Sequence, residues 1–538
     1  MATAGARAGS QPPASSSRNL FVRNATGLVR ELSAFDAFNL VFSAVLIPVG
    51  ITEVMAFTPT FWPHANMLVS FLLATPLVAT CGLVYLYFTV IMPRSGGDYV
   101  WVSRTLNPFL GFFTNFSLTF VFLTWIAFNF TYMLSHMMPA VAYVAGWNSG
   151  ALLSPNNTEQ MVISTILTVI FTGVMILGVR VVAKYMLVTF AVVWIGMIAW
   201  LIDLAVGSRG HFNSAFNAHS GTSVSGVLAA ASHGGFSAAG GIGWGATIFG
   251  MIYCFQVYTG FQWTGYFAGE IRNVRKTATT SILGALLISA IGYVVACALI
   301  YKYYGFQFFG ALVFDGLGGG AAGWKQPFQP YLPSLVNFLP GPQWLLVFIA
   351  VTFLLAILWW TPTGFMMGTR NMFAWSFDRL APEKLTTVSD RFHTPVIATI
   401  TVGCIVELLN YLNIYQGLGN YLLNIIAVMG VAFIISSIAA GVTPWRRPQL
   451  HAQAPGWARA SVAGVSVITI VAAISAISWG FVIYVAFHTG FGGTFGFKPM
   501  LEAFTAPLIG IVYYIGVRLV RRAQGMQLNQ AFTEIPPE

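Results

Sequence analysis

Two short stretches of this sequence carry the residue types that could do chemistry in an otherwise apolar chain. The first is Ile47-Pro48-Val49-Gly50-Ile51-Thr52-Glu53, and the second is Phe255-Gln256-Val257-Tyr258-Thr259-Gly260-Phe261-Gln262. Each puts a helix-breaking residue and polar groups in the middle of a helix-length apolar run. Proline lacks an N–H and glycine tolerates dihedrals that other residues avoid, so the backbone ladder is expected to open at both places. Amides freed at a helix start carry partial positive charge and suit a carboxylate, whereas carbonyls freed at a helix end suit an ammonium. Glu53 adds an ionisable group, which costs at least about 2.5 kcal/mol in a membrane helix and is a functional candidate by default. Three residues past Gly50, it either caps the freed amides or takes part in proton coupling or in binding a substrate amine.

The surrounding sequence says where these stretches must sit. Of 538 residues, 57% are hydrophobic and 7% charged, where soluble domains run near 25% charged. A soluble globule, a disordered chain, collagen and a coiled coil are excluded, and a lipid bilayer is the partner that buries so much apolar surface. Apolar runs long enough to cross about 30 Å of hydrocarbon occur twelve times, over 33–58, 66–91, 109–140, 160–180, 185–206, 244–268, 279–301, 344–370, 395–413, 419–443, 459–487 and 501–519. With both termini inside, only Arg209, Lys302, Lys325 and Lys498 of the 25 Lys and Arg fall outside, as the positive-inside rule requires. The net charge of +10 is therefore a topology signal. Dispersed over many segments, it makes no nucleic-acid surface. The expectation is a multi-pass protein of the cell membrane.

The two interrupted spans come first in each of two five-span halves. Because five is odd, the halves have opposite topology, and this pairing is the sequence sign of an inverted-repeat transporter with a site at the bilayer midplane. An amino acid zwitterion matches freed amides and freed carbonyls together. The organisation expected is a tail at 1–30, a first repeat at 31–206, an external loop at 207–243, a second repeat at 244–443, two more spans in 444–519 and a tail at 520–538.

Loop motifs make this more specific. Pro93-Arg94-Ser95-Gly96-Gly97-Asp98-Tyr99 and Arg104-Thr105-Leu106-Asn107-Pro108 follow the second span, and Glu270-Ile271-Arg272-Asn273-Val274-Arg275-Lys276 follows the sixth. The eighth span leads into Arg370-Asn371-Met372-Phe373-Ala374-Trp375-Ser376-Phe377-Asp378-Arg379-Leu380-Ala381-Pro382 and then Thr394-Pro395-Val396. In this order the chain resembles the amino acid, polyamine and organocation transporter family over nearly its whole length. The resemblance implies an all-α integral membrane protein of LeuT type: a 5+5 inverted repeat plus two peripheral helices, broken helices 1 and 6, and alternating access. It implies a carboxylate site at the amides of Val49, Gly50 and Ile51, and an ammonium site at carbonyls near Phe255, Gln256 and Tyr258, with Gly260 at the break and Phe261 following it. Three departures stand out: Pro48 replaces the family's first glycine, Gln262 stands where Glu is common, and Val274 replaces the proline that usually ends the helix 6 motif.

No cofactor is expected beyond a coupling ion. The lysine that some members carry midway along helix 5 is missing, since Val193 and Trp194 are uncharged, and Lys184 reads as an interfacial anchor. Sodium coupling through a helix 8 hydroxyl such as Thr361, proton coupling through Glu53, and pure exchange all stay open, with Gln262 a further candidate for coupling or gating. Cys81, Cys254, Cys297 and Cys404 read as small core residues, and His211, His219 and His233 as positions of the 207–243 loop without metal-binding spacing. Glu407 is expected to face the bundle or an outer vestibule. The function expected is transport of amino acids across the cell membrane by symport or exchange. A polyamine or other organocation is the nearer alternative and an ion channel the remoter one, as no pore loop or charge ring is evident. An enzyme is not expected, because HExxH, GxSxG and P-loop patterns do not occur.

Overall fold

Short polar residues begin many of the helices, taking the place of missing backbone partners. Helix α1 (Ala34–Val45) starts at Ser33, whose hydroxyl accepts from Asp36 N at 3.2 Å while the Asp36 carboxylate accepts from Ser33 N at 3.0 Å. It ends at Leu46, which takes φ 48° and ψ 55°, and α2 (Ile47–Phe61) begins at the next residue with Pro48 in its first turn. The left-handed conformation costs a leucine roughly 1 kcal/mol, which the packing around this junction must offset. Asn66 caps α3 (Met67–Ile91). Gly96 and Gly97, at φ +98° and +50°, turn the chain into α4 (Asp98–Thr105). Asn107 caps α5 (Pro108–Tyr132), which continues through a π turn at Met133–Met137 into Met138–Ala145.

The computed structural model describes residue 30 and residues 32–147, 149–237, 240–317, 326–488, 497–526, 528 and 532. Apart from Arg30, the expected N-terminal tail lies outside the described residues, as do Lys325 and much of the C-terminal tail. A capping box of Asn156 and Glu159 opens α6 (Asn157–Ile176), and α7 (Val179–Val206) follows after Gly178. The expected loop at 207–243 contains two helices, α8 (Arg209–His219) and α9 (Val224–His233), which carry His211, His219 and His233. Then come α10 (Trp244–Tyr258), α11 (Val274–Tyr303), α12 (Phe306–Leu317), α13 (Gln343–Phe377), α14 (Val396–Gln416) and α15 (Leu422–Arg446). A small antiparallel hairpin, with Ser461 opposite Ser466, leads into α16 (Val467–His488), and α17 (Phe497–Ala523) ends the bundle.

Eleven helical stretches among the described residues are long and apolar enough to cross a membrane, against twelve expected. The difference is the run at 244–268. Helix α10 has 15 residues, and Thr259 and Gly260 lead from it into 3₁₀ turns at Phe261–Gly265 and Ala268–Glu270. Gly260 has φ +136°, and a Cβ there would stand 2.7 Å from the Ala44 backbone, so only glycine fits against α1.

Burial sorts the helices. In the most apolar window of Ala34–Phe61, 89% of residues are buried, against 22% in Asn157–Ile176 and 28% in Val179–Val206 and Ala503–Ala523. The α1–α2 pair is therefore central and α6, α7 and α17 form the rim. Rim residues such as Val169, Val188, Ile195 and Val512 are exposed, which hydrocarbon tolerates and water does not. Around the centre, α1 packs on α11 and α13, α10 on α3, and α15 on α16 and α5. Cys81, Cys254 and Cys297 are buried as expected, but Cys404 is exposed on α14. A thiol is apolar enough to face lipid, so its residue type did not report its position.

Candidate functional site

The junction of α1 and α2 forms one wall of a small cavity of about 50 Å³, contributed by Leu46, Val49, Gly50 and Glu53. Helix α5 supplies Phe122, Trp125 and Asn129, at the i, i+3 and i+7 positions of one helix face. The end of α10 and the turn after it supply Gln256, Val257, Thr259 and Trp263, and α13 supplies Trp360.

The amino end of α2 faces this space. Leu46 provides no side-chain cap, while the Gly50 amide donates to the Leu46 carbonyl at 2.8 Å. Gly50 is thus already inside the helical ladder, as is Ile51 one residue on, contrary to the expectation of free amides at both. The helix starts earlier than the Pro48-Val49-Gly50 spelling suggests, so the first-turn amides without an acceptor within α2 are those of Ile47 and Val49. Tyr293 from α11 holds the junction by donating from its hydroxyl to the Val45 carbonyl at 2.9 Å.

Glu53 stands in the second turn of α2 and is 5% exposed. Its carboxylate accepts from Gln256 Nε2 at 3.4 Å and, among the described residues, from no backbone amide. The position rules out capping, because the orphan amides lie more than a turn away. Gln256 Oε1 and Asn129 Oδ1 are buried against the same cavity and find no hydrogen-bond partner among the described residues. Such groups cost free energy unless something supplies a donor. The cavity is thus lined by three residues that carry acceptor oxygens, a chemistry that complements an ammonium.

Other residues singled out in the sequence support the walls from behind. Gln262 Oε1 accepts from the Gly260 amide at 2.8 Å and so braces the turn after α10. Phe261 packs against Tyr85 and Phe433, Phe255 against Trp479, and Tyr258 meets Thr75 at 2.7 Å between hydroxyls. The Gln256 carbonyl is occupied by Thr259, through its amide at 2.9 Å and its hydroxyl at 2.5 Å. Thr361 donates to the Ile357 carbonyl at 2.8 Å within α13, and its neighbour Trp360 reaches the cavity instead. Glu407 accepts from Thr165 and from Asn410, tying α14 to α6 away from the cavity. Trp125, Asn129, Phe122 and Trp360 went unremarked in the sequence. Asn129 had a legible signal, being an amide within the aromatic run Trp125-Ile126-Ala127-Phe128-Asn129-Phe130; the aromatic residues had none, since aromatics are everywhere in this chain.

At one end of the bundle the loop motifs converge into a polar clasp. Asp98 accepts from Asn115 Nδ2 at 2.5 Å, from the Tyr266 hydroxyl at 2.9 Å and from the Tyr85 hydroxyl at 3.0 Å. Burial pushes its carboxyl up to about 6, although all three hydrogen bonds pull the other way. Asp378 accepts from Arg104 Nη2 and from the Tyr99 hydroxyl, each at 2.7 Å, and the ring of Phe532 lies 5.0 Å from the Arg104 guanidinium. Arg370 grips Glu270 with two parallel bonds, Nε to Oε1 at 2.7 Å and Nη2 to Oε2 at 2.8 Å. These pairs join α4, the segment after α10 and α13.

The chain was compared with known proteins. A family model described as amino acid permease matches residues 32–506. The branched-chain amino acid permease BcaP of Bacillus subtilis (strain 168) is 24% identical over 445 residues, covering 79% of this chain and 83% of that protein.

Proposed function

This chain belongs to the amino acid permease family, and from that premise we propose that it is a secondary active transporter, moving amino acids across the cell membrane by alternating access. The observation that carries the reading is the cavity where the uncapped amino end of α2 faces the acceptors Glu53, Gln256 and Asn129. A zwitterion presents a carboxylate to the first and an ammonium to the second. The rest of the lining, from Val49, Val257, Phe122 and the tryptophans, suits an apolar side chain. A branched aliphatic amino acid is the substrate we favour, and the similarity to a branched-chain permease supports it.

In this reading α1 with α2, and α10 with the 3₁₀ turns after it, are the discontinuous first helices of two inverted repeats at 31–206 and 244–443, in a LeuT-type fold. Both termini face the cytoplasm, with the clasp of Asp98, Arg104 and Arg370 on that side, in keeping with the distribution of Lys and Arg. Opening the cytoplasmic path requires the clasp to separate while the cavity closes toward the outside. A polyamine or other organocation is the rival substrate, favoured by Glu53; one carboxylate leaves its second ammonium without a counter-ion.

Purified protein in liposomes, offered each of the common amino acids and putrescine with radiolabel, tests the proposal. Saturable counterflow of leucine, isoleucine and valine is expected. Counterflow of putrescine alone would replace the substrate, and no counterflow of any compound would end the transport reading.

A further inference from the structure

Glu53 is a buried carboxylate without a fixed counter-ion. It is 5% exposed and receives one long hydrogen bond, from Gln256 Nε2 at 3.4 Å. No Lys, Arg or His is among the residues lining its cavity. The titratable groups near enough to sense its charge are the phenols of Tyr132 at the end of α5, Tyr253 on α10 and Tyr293 on α11, all neutral, the last donating to the Val45 carbonyl. Asn129 on α5 and Gln256 on α10 are neutral amides, Trp360 on α13 an indole, and no charged side chain among the described residues couples to it. A bare carboxylate in such surroundings carries a desolvation cost of several kcal/mol, so its charge has to be balanced by a cation that comes and goes.

Two mobile cations reach this cavity on the reading given above, a proton and the ammonium group of the substrate. Glu53 lines the cavity together with Gln256 and Asn129, whose Oε1 and Oδ1 are buried and unpartnered among the described residues, so acceptors for an ammonium are present there and a balancing cation is not. We propose that the Glu53 carboxylate binds the proton and the substrate ammonium in turn and never together, so that the protein exchanges amino acids for protons moving the opposite way. The inference rests on amino acid transport through this cavity. Binding breaks the Glu53 O–H bond and forms an ammonium–carboxylate pair, and the proton leaves to the side on which the cavity is open. After the substrate departs on the far side, Glu53 takes a proton from that side, and the neutralised carrier returns. One amino acid thus crosses for each proton crossing the other way. A proton that stayed on Glu53 while substrate bound elsewhere would give symport, with the opposite sign.

The sign can be measured. Proteoliposomes at pH 6.5 inside and 7.5 outside, with the membrane potential clamped at zero by equal potassium and valinomycin, are supplied with labelled leucine and, separately, each other amino acid that shows counterflow. One-for-one exchange predicts accumulation inside approaching tenfold, since one pH unit corresponds to a factor of ten. Glu53→Gln is expected to retain leucine–leucine counterflow at weakened affinity but to lose accumulation, giving a ratio near one. Glu53→Asp keeps a carboxylate and should keep the direction. Depletion of substrate in the wild type, a ratio of one, or accumulation that follows sodium instead would overturn the inference while leaving amino acid transport standing. Absence of all counterflow in the wild type would instead remove the transport reading on which it rests.

Discussion

The hydroxyl of Tyr293 stands 2.3 Å from where a Cβ on Gly50 would be, too close for both, and from there it donates to the Val45 carbonyl at 2.9 Å. The missing side chain in α2 is what lets a phenol from α11 hold the carbonyl beside left-handed Leu46. Helix junction, cavity wall and neighbouring helix are therefore one mechanical unit.

Gly50→Ala is expected to push Tyr293 off Val45, with a cost of about 1–3 kcal/mol from overpacking and at least a tenfold loss of counterflow. Tyr293→Phe removes one hydrogen bond, worth about 1 kcal/mol. Because the two residues share the same space, the double variant should be more stable than the sum of the single effects. Thermal melting in detergent of the three variants checks this; strictly additive losses would show that the two residues do not interact.

Arg370 and Glu270 are paired by two bonds and their side chains are 0% and 1% exposed. Removing one partner leaves an uncompensated buried charge, so Arg370→Gln should cost about 3–5 kcal/mol. Replacing both, as in Arg370→Met with Glu270→Leu, should recover much of that stability, and on the alternating-access reading proposed above it should leave transport impaired. Melting temperature and counterflow should separate in the double variant; a pair of replacements as unstable as the single one would argue against the pairing.

Asp98 gives the clasp a pH dependence. Its carboxyl is raised to about 6 from an ordinary value of 3.8 because it is buried. A raised acid binds its proton more tightly folded than unfolded, so its stabilising contribution is complete below pH 3.8 and is lost as pH rises through about 6. The loss is on the order of 3 kcal/mol. Asp98→Asn should lack this slope, and melting curves of both proteins between pH 4 and 7.5 would show it as a difference that changes with pH. Parallel curves would contradict the assignment.

Gln256 and Asn129 line the cavity, and the amide oxygen of each is buried without a hydrogen-bond partner among the described residues. A hydrogen bond to a charged group is worth about 1.5–3 kcal/mol, so Gln256→Leu or Asn129→Leu should raise the half-saturating leucine concentration roughly ten- to a hundredfold. Folding should be little affected by Asn129→Leu, because an apolar replacement removes an unsatisfied group, whereas Gln256→Leu also takes from Glu53 the hydrogen bond of Nε2. Unchanged affinity in both variants would move the ammonium site elsewhere.

Local patterns reported the membrane class and most of the long apolar helices, because length and hydropathy act within a few residues; they put the first interruption too late, since the α1–α2 junction falls at Leu46 and Gly50 lies inside the helical ladder of α2. Glu53 and Gln256 were legible for the same reason: polarity inside an apolar run is visible without partners. Tertiary structure alone decided that Glu53 meets Gln256, 203 residues away, and that Arg104 meets Asp378, 274 residues away. It also moved Ile51, Phe255, Tyr258, Phe261 and Thr361 off the cavity and brought Trp125, Asn129 and Trp360 onto it. Which face of a wholly apolar helix looks inward is set by the neighbours it packs against, and where lipid and protein interior are equally apolar, the helix itself carries no pattern to announce it.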